Sequence, residues 1–325
     1  MDRRTACASL AALAAGHLAV ARAQAPRVAR VAWVGLDPPN PNAASLVNFR
    51  RGMRDHGWVE GRNLDLTIWW GDGKADRLTE QIPAILASRP DVVVAGQVSV
   101  GRLAHTAIKQ PIVFSTSGDP VAGGFVASYA RPGGNLTGIS FFMTELVGKR
   151  IETLREILPS VTRIAFVGWS RHAGEPLEVK DSLEAARKLG VEAIYRPANS
   201  TADIDAAYEE FAKWRADAII AFADGITLPN ASRMAAHSRR LKIPTISGWA
   251  EFALAGNLFS YGPNREEAFA RLASFVDRIL KGAKPGDLPV ERPAKLEFVI
   301  NQQAARELGI RIPPSVLARA HQFID

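Results

Sequence analysis

Residues 145–167 read ELVGKRIETLREILPSVTRIAFV. Glu145–Leu158 has the pattern of a strong helix. Pro159-Ser160 ends it, and Arg163–Val167 opens a new, continuously apolar strand. A strand–helix series that has already run for more than a hundred residues therefore starts again here. Upstream, Val28–Gly35, Leu64–Trp70, Val92–Ala95, Ile112–Phe114 and Leu136–Ser140 read as strands. Between them, Ala44–His56, Asp76–Ala87 and a segment from about Gly101 to Ile108 read as helices, the first with Leu46, Phe49 and Met53 on one face. Downstream, strands at Glu192–Tyr195, Ala218–Phe222, Thr245–Ser247, Leu258–Tyr261 and, last, Leu296–Ile300 alternate with helices. These helices are Glu178–Leu189, Ala202–Trp214, Ala231–Arg240 and Arg265–Leu280.

Short, wholly apolar strands between helices are the signature of parallel sheets covered on both faces and joined by right-handed crossovers. The restart predicts an α/β protein of two similar lobes, each a parallel sheet flanked by helices, with a hinge of several chain crossings. The first lobe is expected over 24–141 plus about 262–290. The second lobe and hinge are expected over 142–261, with 291–325 as a candidate continuation. A single eightfold barrel fits less well, because the loop after Ser140 and the tail after Lys281 break an even rhythm.

The chain has 325 residues, 47% of them hydrophobic and 22% charged, which excludes a low-complexity disordered chain. Its one cysteine, Cys7, excludes a disulfide scaffold. The net charge of +7 is spread along the sequence with no run of four basic residues, so no nucleic-acid partner is expected. Arg3 and Arg4, the apolar stretch Ala6–Val20 and the small-residue pattern Ala21-Arg22-Ala23 form an export signal, with cleavage after Ala23. The stretch is too short to span a bilayer. A soluble periplasmic protein is expected, reached by either general or twin-arginine export.

In open parallel sheets, ligands bind beyond the carboxyl ends of the strands. The segments there carry hydroxyls, carboxylates and indoles: Ser99, Ser117 and Asp119 in the first half, and Trp169, Ser170, Asp224, Trp249 and Glu251 in the second. Hydroxyls and helix N-termini suit a carboxylate. Asp119, Asp224 or Glu251 suit an ammonium, and Trp169 and Trp249 suit an apolar body. Asp119 equally fits the cap of a turn, Ser99 a helix cap, and the two tryptophans plain packing. Dinucleotide, phosphate-loop, nucleophile-elbow and zinc-protease motifs are missing, and the histidines have no metal-ligand spacing. No catalytic residue, metal or cofactor is expected.

Several stretches, in order, resemble one family. They are Phe49-Arg50-Arg51-Gly52-Met53 with Gly57-Trp58-Val59-Glu60-Gly61-Arg62-Asn63, then Pro111-Ile112-Val113-Phe114 and Gly118-Asp119-Pro120-Val121. Arg131-Pro132-Gly133-Gly134-Asn135-Leu136-Thr137-Gly138, Ser260-Tyr261-Gly262-Pro263, Ile279-Leu280-Lys281-Gly282-Ala283-Lys284-Pro285 and Leu296-Glu297-Phe298-Val299-Ile300-Asn301 follow. The set is similar to the bacterial ABC-transporter substrate-binding family linked to tryptophan and tyrosine uptake. The resemblance implies a type I periplasmic-binding fold, a monomer that closes on a small amino-acid-like ligand between its lobes, and delivery to ABC permease subunits of the inner membrane. It also implies ligand-contacting roles for Ser99, Asp119, Trp249 and Glu251. Two segments depart from the family pattern: Gln97-Val98 stands where many relatives have two glycines, and Gly168-Trp169-Ser170 where many have an asparagine. An exported sensor subunit docking on a signalling receptor is the alternative role, and an exported α/β enzyme a more distant one.

Overall fold

The structure is a computed structural model that describes residues 28–36, 38–96, 103, 108–143, 145–170 and 175–325. The expected export signal, Ser99 and, apart from Leu103 and Ile108, the segment read as a helix from about Gly101 to Ile108 lie outside the described residues.

The first sheet holds β1 (Ala29–Gly35), β2 (Leu64–Trp70), β3 (Val92–Gly96), β4 (Ile112–Thr116) and β5 (Leu136–Ser140). All are parallel, in the order β2-β1-β3-β4-β5. β3, β4 and β5 are buried along almost their whole length, which is why they read as unbroken apolar runs. Helices α1 (Ala44–Asp55) and α2 (Ala75–Ala87) connect the early strands. The predicted α1 face is realised, with Leu46, Phe49 and Met53 at most 1% exposed.

The second lobe begins with α3 (Val147–Ile157) and repeats the scheme. β6 (Arg163–Trp169), α4 (Glu175–Lys188), β7 (Glu192–Ala198), α5 (Thr201–Lys213), β8 (Ala218–Ala221), α6 (Ala231–Leu241), β9 (Thr245–Ser247), α7 (Ala250–Leu254) and β10 (Phe259–Pro263) follow in turn. The strand order β10-β9-β8-β6-β7 is that of the first sheet, read from the other edge. Each sheet therefore reverses direction once, between β1 and β3 in the first and between β6 and β8 in the second. β11 (Leu296–Asn301) then adds antiparallel to β10.

Leu296–Ile300 is not the last strand, contrary to the sequence reading. After the helices Gln302–Leu308 and Pro314–Leu317, β12 (Gln322–Ile324) pairs parallel with β11. It escaped notice because it is a three-residue edge strand with Gln322 and Phe323 exposed, so it carries no apolar run.

The chain crosses between lobes three times: between β5 and α3, between β10 and the helix Arg265–Leu280, and between Glu291 and β11. The helix Arg265–Leu280 follows a second-lobe strand yet packs along α1. Its backbone comes so close that a Cβ on Gly52 would stand 2.3 Å from the Ala270 carbonyl oxygen. The segment after it also stays on the first lobe, where Thr137 Oγ1 donates to the Leu288 carbonyl at 2.7 Å and Glu291 N to that of Gly138 at 2.9 Å.

One arginine ties two crossings together. Arg150 of α3 is 3% exposed; its Nε donates to the Tyr261 carbonyl at 2.8 Å and its Nη1 to the Met143 carbonyl at 3.1 Å. Burial lowers its pKa to about 10, partly offset by the charge of Glu178. Gly248 makes room for this arginine: a Cβ there would lie 1.9 Å from Met143 Cε and 2.5 Å from Arg150 Nη2.

Candidate functional site

A cavity of about 100 Å³ lies where the two lobes face each other. Gly35 and Leu36 at the end of β1 and Gly96 at the end of β3 border it from the first lobe. Trp169 at the end of β6, with Asp224 and Gly225 just past β8, border it from the second. The cavity is thus formed by both points at which strand order reverses, the crevice where open α/β sheets bind ligands.

Its walls are aromatic. Trp33, Phe141, Phe269 and Trp249 line it and touch in sequence, with ring centroids 6.1 Å apart for Trp33–Phe269, Phe141–Phe269 and Phe141–Trp249. Trp169 closes the second-lobe side, and Ser45 and Ser115 add hydroxyls.

Among the described residues, two that line the cavity are charged, Asp224 and Arg265. Asp224 is 5% exposed. Its Oδ1 accepts from Ile226 N and Thr227 N, both at 2.9 Å, and from Thr227 Oγ1 at 3.0 Å, whereas among the described residues Oδ2 accepts only from Trp169 N at 2.8 Å. One oxygen is saturated and the other keeps acceptor capacity. Burial raises the Asp224 pKa, and these hydrogen bonds oppose the rise. Behind it lies Glu178 of α4, 7% exposed, which burial and then the charge of Asp224 push up to about 8, with Arg150 pulling the other way.

Arg265 opens the helix Arg265–Leu280, which returns to the first lobe. Asn264 caps that helix through a 2.7 Å bond from Glu267 N, fixing where Arg265 begins. Arg265 Nη1 donates to Glu251 Oε1 at 2.6 Å. The centre of its guanidinium sits 4.2 Å from the Trp249 ring centroid and 5.3 Å from that of Phe269.

Of the residues singled out from sequence, the cavity brings together Trp169, Asp224 and Trp249. Glu251 is not in its lining and reaches it through Arg265. Asp119 is exposed and does not line it. Its Oδ1 accepts from Val121 N at 2.8 Å, Ala122 N at 3.3 Å and Tyr129 Oη at 2.8 Å, which is the geometry of the turn cap that the sequence also allowed. Ser117 is buried away from the lining, and Ser170 donates to Asn199 Oδ1 at 2.9 Å. Sequence reading missed Trp33, Phe141, Phe269 and Arg265. Arg265 did carry a signal, since a cation at the first position of a helix opposes the helix dipole.

The model of the family described as ABC transporter substrate binding protein matches residues 43–324. The chain belongs to this family. A tyrosine-binding protein of Clostridioides difficile (strain R20291) is 21% identical over 266 residues, covering 81% of this chain and 76% of that one. Among solved structures, a conserved domain protein from Vibrio cholerae is 28% identical with a TM-score of 0.86, covering 91% of this chain and all of the other. An ABC domain from Streptococcus pneumoniae, solved in complex with L-Trp, is 22% identical with a TM-score of 0.84, over 91% and 99% of the two chains. These likenesses agree with the two-lobed α/β architecture of this family member.

Proposed function

We propose that this substrate-binding protein is the exported receptor of an ABC importer and captures an aromatic amino acid or a close analogue between its lobes. The observation that carries the reading is the aromatic-walled cavity at both strand-order reversals, with one acidic and one basic side chain among the described residues of its lining. A buried water needs about 10–15 Å³ by this measure of volume. About 100 Å³ therefore has room for an amino-acid-sized ligand and not for a long peptide.

The energetics divide the work. An aromatic side chain buries roughly 150–250 Å², worth about 4–6 kcal/mol at ~25 cal/mol per Å². A charge-assisted hydrogen bond contributes about 1.5–3 kcal/mol. The ring supplies most of the affinity and the polar groups orient it. Asp224 Oδ2, with its spare acceptor capacity, takes the ligand ammonium. The relatives' tyrosine and L-Trp ligands support an aromatic amino acid as the first class to test.

The mature protein begins after Ala23, works in the periplasm as a monomer, and hands its ligand to permease subunits rather than transforming it. Its lobes divide near residue 141, with the helix Arg265–Leu280 and the segment to about 290 returning to the first. They close by hinging at the three crossings.

The test is a thermal-shift screen of the purified protein with the twenty amino acids and their aromatic analogues, followed by calorimetric titration. Ligand at ~100 Kd stabilises the folded state by about 2.7 kcal/mol. The reading predicts a shift with at least one of L-phenylalanine, L-tyrosine and L-tryptophan, lost in Asp224→Asn. Shifts only with non-aromatic amino acids, or with none of the compounds, would overturn it.

A further inference from the structure

Arg265 breaks a local rule of helix electrostatics. It stands at the first position of its helix, where the dipole disfavours a cation. Positions at which a chain departs from its own local preferences are commonly functional ones. Its surroundings hold it: Glu251 of the second lobe takes Nη1, and the ring centroids of Trp249, of the same lobe, and of Phe269 lie 4.2 Å and 5.3 Å from the guanidinium carbon. Nη2 has no acceptor among the described residues, and the side chain lines the cavity. This wall also has a surplus of donors, since Arg265 Nε and Trp249 Nε1 are both buried without a protein acceptor among the described residues. The opposite side of the cavity offers an acceptor, Asp224 Oδ2.

We infer that Arg265 is the specificity-determining residue of this cleft: its free guanidinium edge binds the ligand carboxylate, and Glu251 and Trp249 hold that edge toward the cavity. The inference rests on the reading of the cleft as an amino-acid site and adds the group that selects acids over their neutral derivatives. Glu251, which sequence alone offered as a partner for the ammonium, is instead a positioning residue whose charge is spent on Arg265. Because Arg265 belongs to the first-lobe helix and its two holders to the second lobe, the bound carboxylate sits on a contact that already bridges the lobes.

The experiment measures affinity for matched pairs: L-phenylalanine, L-tyrosine and L-tryptophan against their carboxamides, by calorimetry, on the wild type, Arg265→Gln and Arg265→Lys. Loss of one charge-assisted bond corresponds to roughly 10- to 150-fold in Kd. The wild type should prefer the acid over the amide by that factor. Arg265→Gln should bring the ratio to within about threefold of unity while binding the amide as the wild type does, and Arg265→Lys should fall between. A merely structural role would change both ligands equally, so an unaltered acid-to-amide ratio in Arg265→Gln overturns the inference and leaves the cleft reading standing. If Arg265→Gln does not fold, the Lys variant decides: a wild-type ratio there, despite loss of the planar fork, also overturns it. A wild type that binds none of the six compounds overturns the amino-acid reading and this inference with it.

Discussion

Glu178 provides a sharp test of the buried electrostatics behind the cleft. Its carboxyl is 7% exposed, and burial together with the nearby charge of Asp224 pushes its pKa to about 8. In the unfolded chain a glutamate titrates near 4.3. Between these two values the folded state holds a proton that the unfolded state has released. Stability therefore falls as pH rises through this window, by about 1.4 kcal/mol per pH unit for a single such group. Glu178→Gln keeps the shape of the protonated acid and removes the titration. From pH 5.0 to 7.5 the wild type should lose about 3 kcal/mol relative to Glu178→Gln. Urea melts of both proteins at half-unit intervals, followed by circular dichroism, measure the difference directly. The two stability curves should lie close at pH 5 and separate steadily above it, with the Gln variant more stable at pH 7.5. Curves that remain parallel across this range would refute the claim that Glu178 is buried as an acid, and with it the assignment of a proton-binding group behind Asp224.

Two substitutions probe the neighbouring geometry. Asp119→Ala removes the acceptor for Val121 N, Ala122 N and the Tyr129 hydroxyl, so it should lower stability by about 1 kcal/mol; ligand affinity should stay within twofold, as read by paired urea melts and calorimetry. Gly248→Ala forces a methyl into the space of Met143 and Arg150 and should cost about 1–3 kcal/mol in the same melts, whereas an unchanged midpoint would mean that the crossings are not packed as described.

The fold was legible in the sequence because burial on both sheet faces leaves a local mark. Strands such as Ile112–Thr116 and Ala218–Ala221 are buried at every residue, and no pattern of neighbours is needed to see them. The restart at Arg163 was legible for the same reason. β12 was not, since its place depends on pairing with Val299–Asn301 more than twenty residues earlier. The site was legible only in part. Trp169, Asp224 and Trp249 follow strands directly, so a rule about strand ends finds them. The same rule reached Asp119, whose turn lies beyond β4 but holds the carboxylate for its own backbone. Trp33 sits inside β1, Phe269 inside a helix and Phe141 on a crossing, and only the packing of the two lobes brings them to one wall. Arg265 acquires its meaning from Glu251 and Trp249 across the hinge, a relation that neither spacing nor composition records.

The most direct measurement is a crystal structure of the mature protein with the tightest-binding compound of the amino-acid screen. The ring should be found among Trp33, Trp169 and Trp249, with the ammonium within hydrogen-bonding distance of Asp224 Oδ2 and the carboxylate within hydrogen-bonding distance of Arg265. Ligand density against Asp119, or in the separate cavity of about 320 Å³ bordered by Arg271, Glu291 and Lys295, would contradict the account.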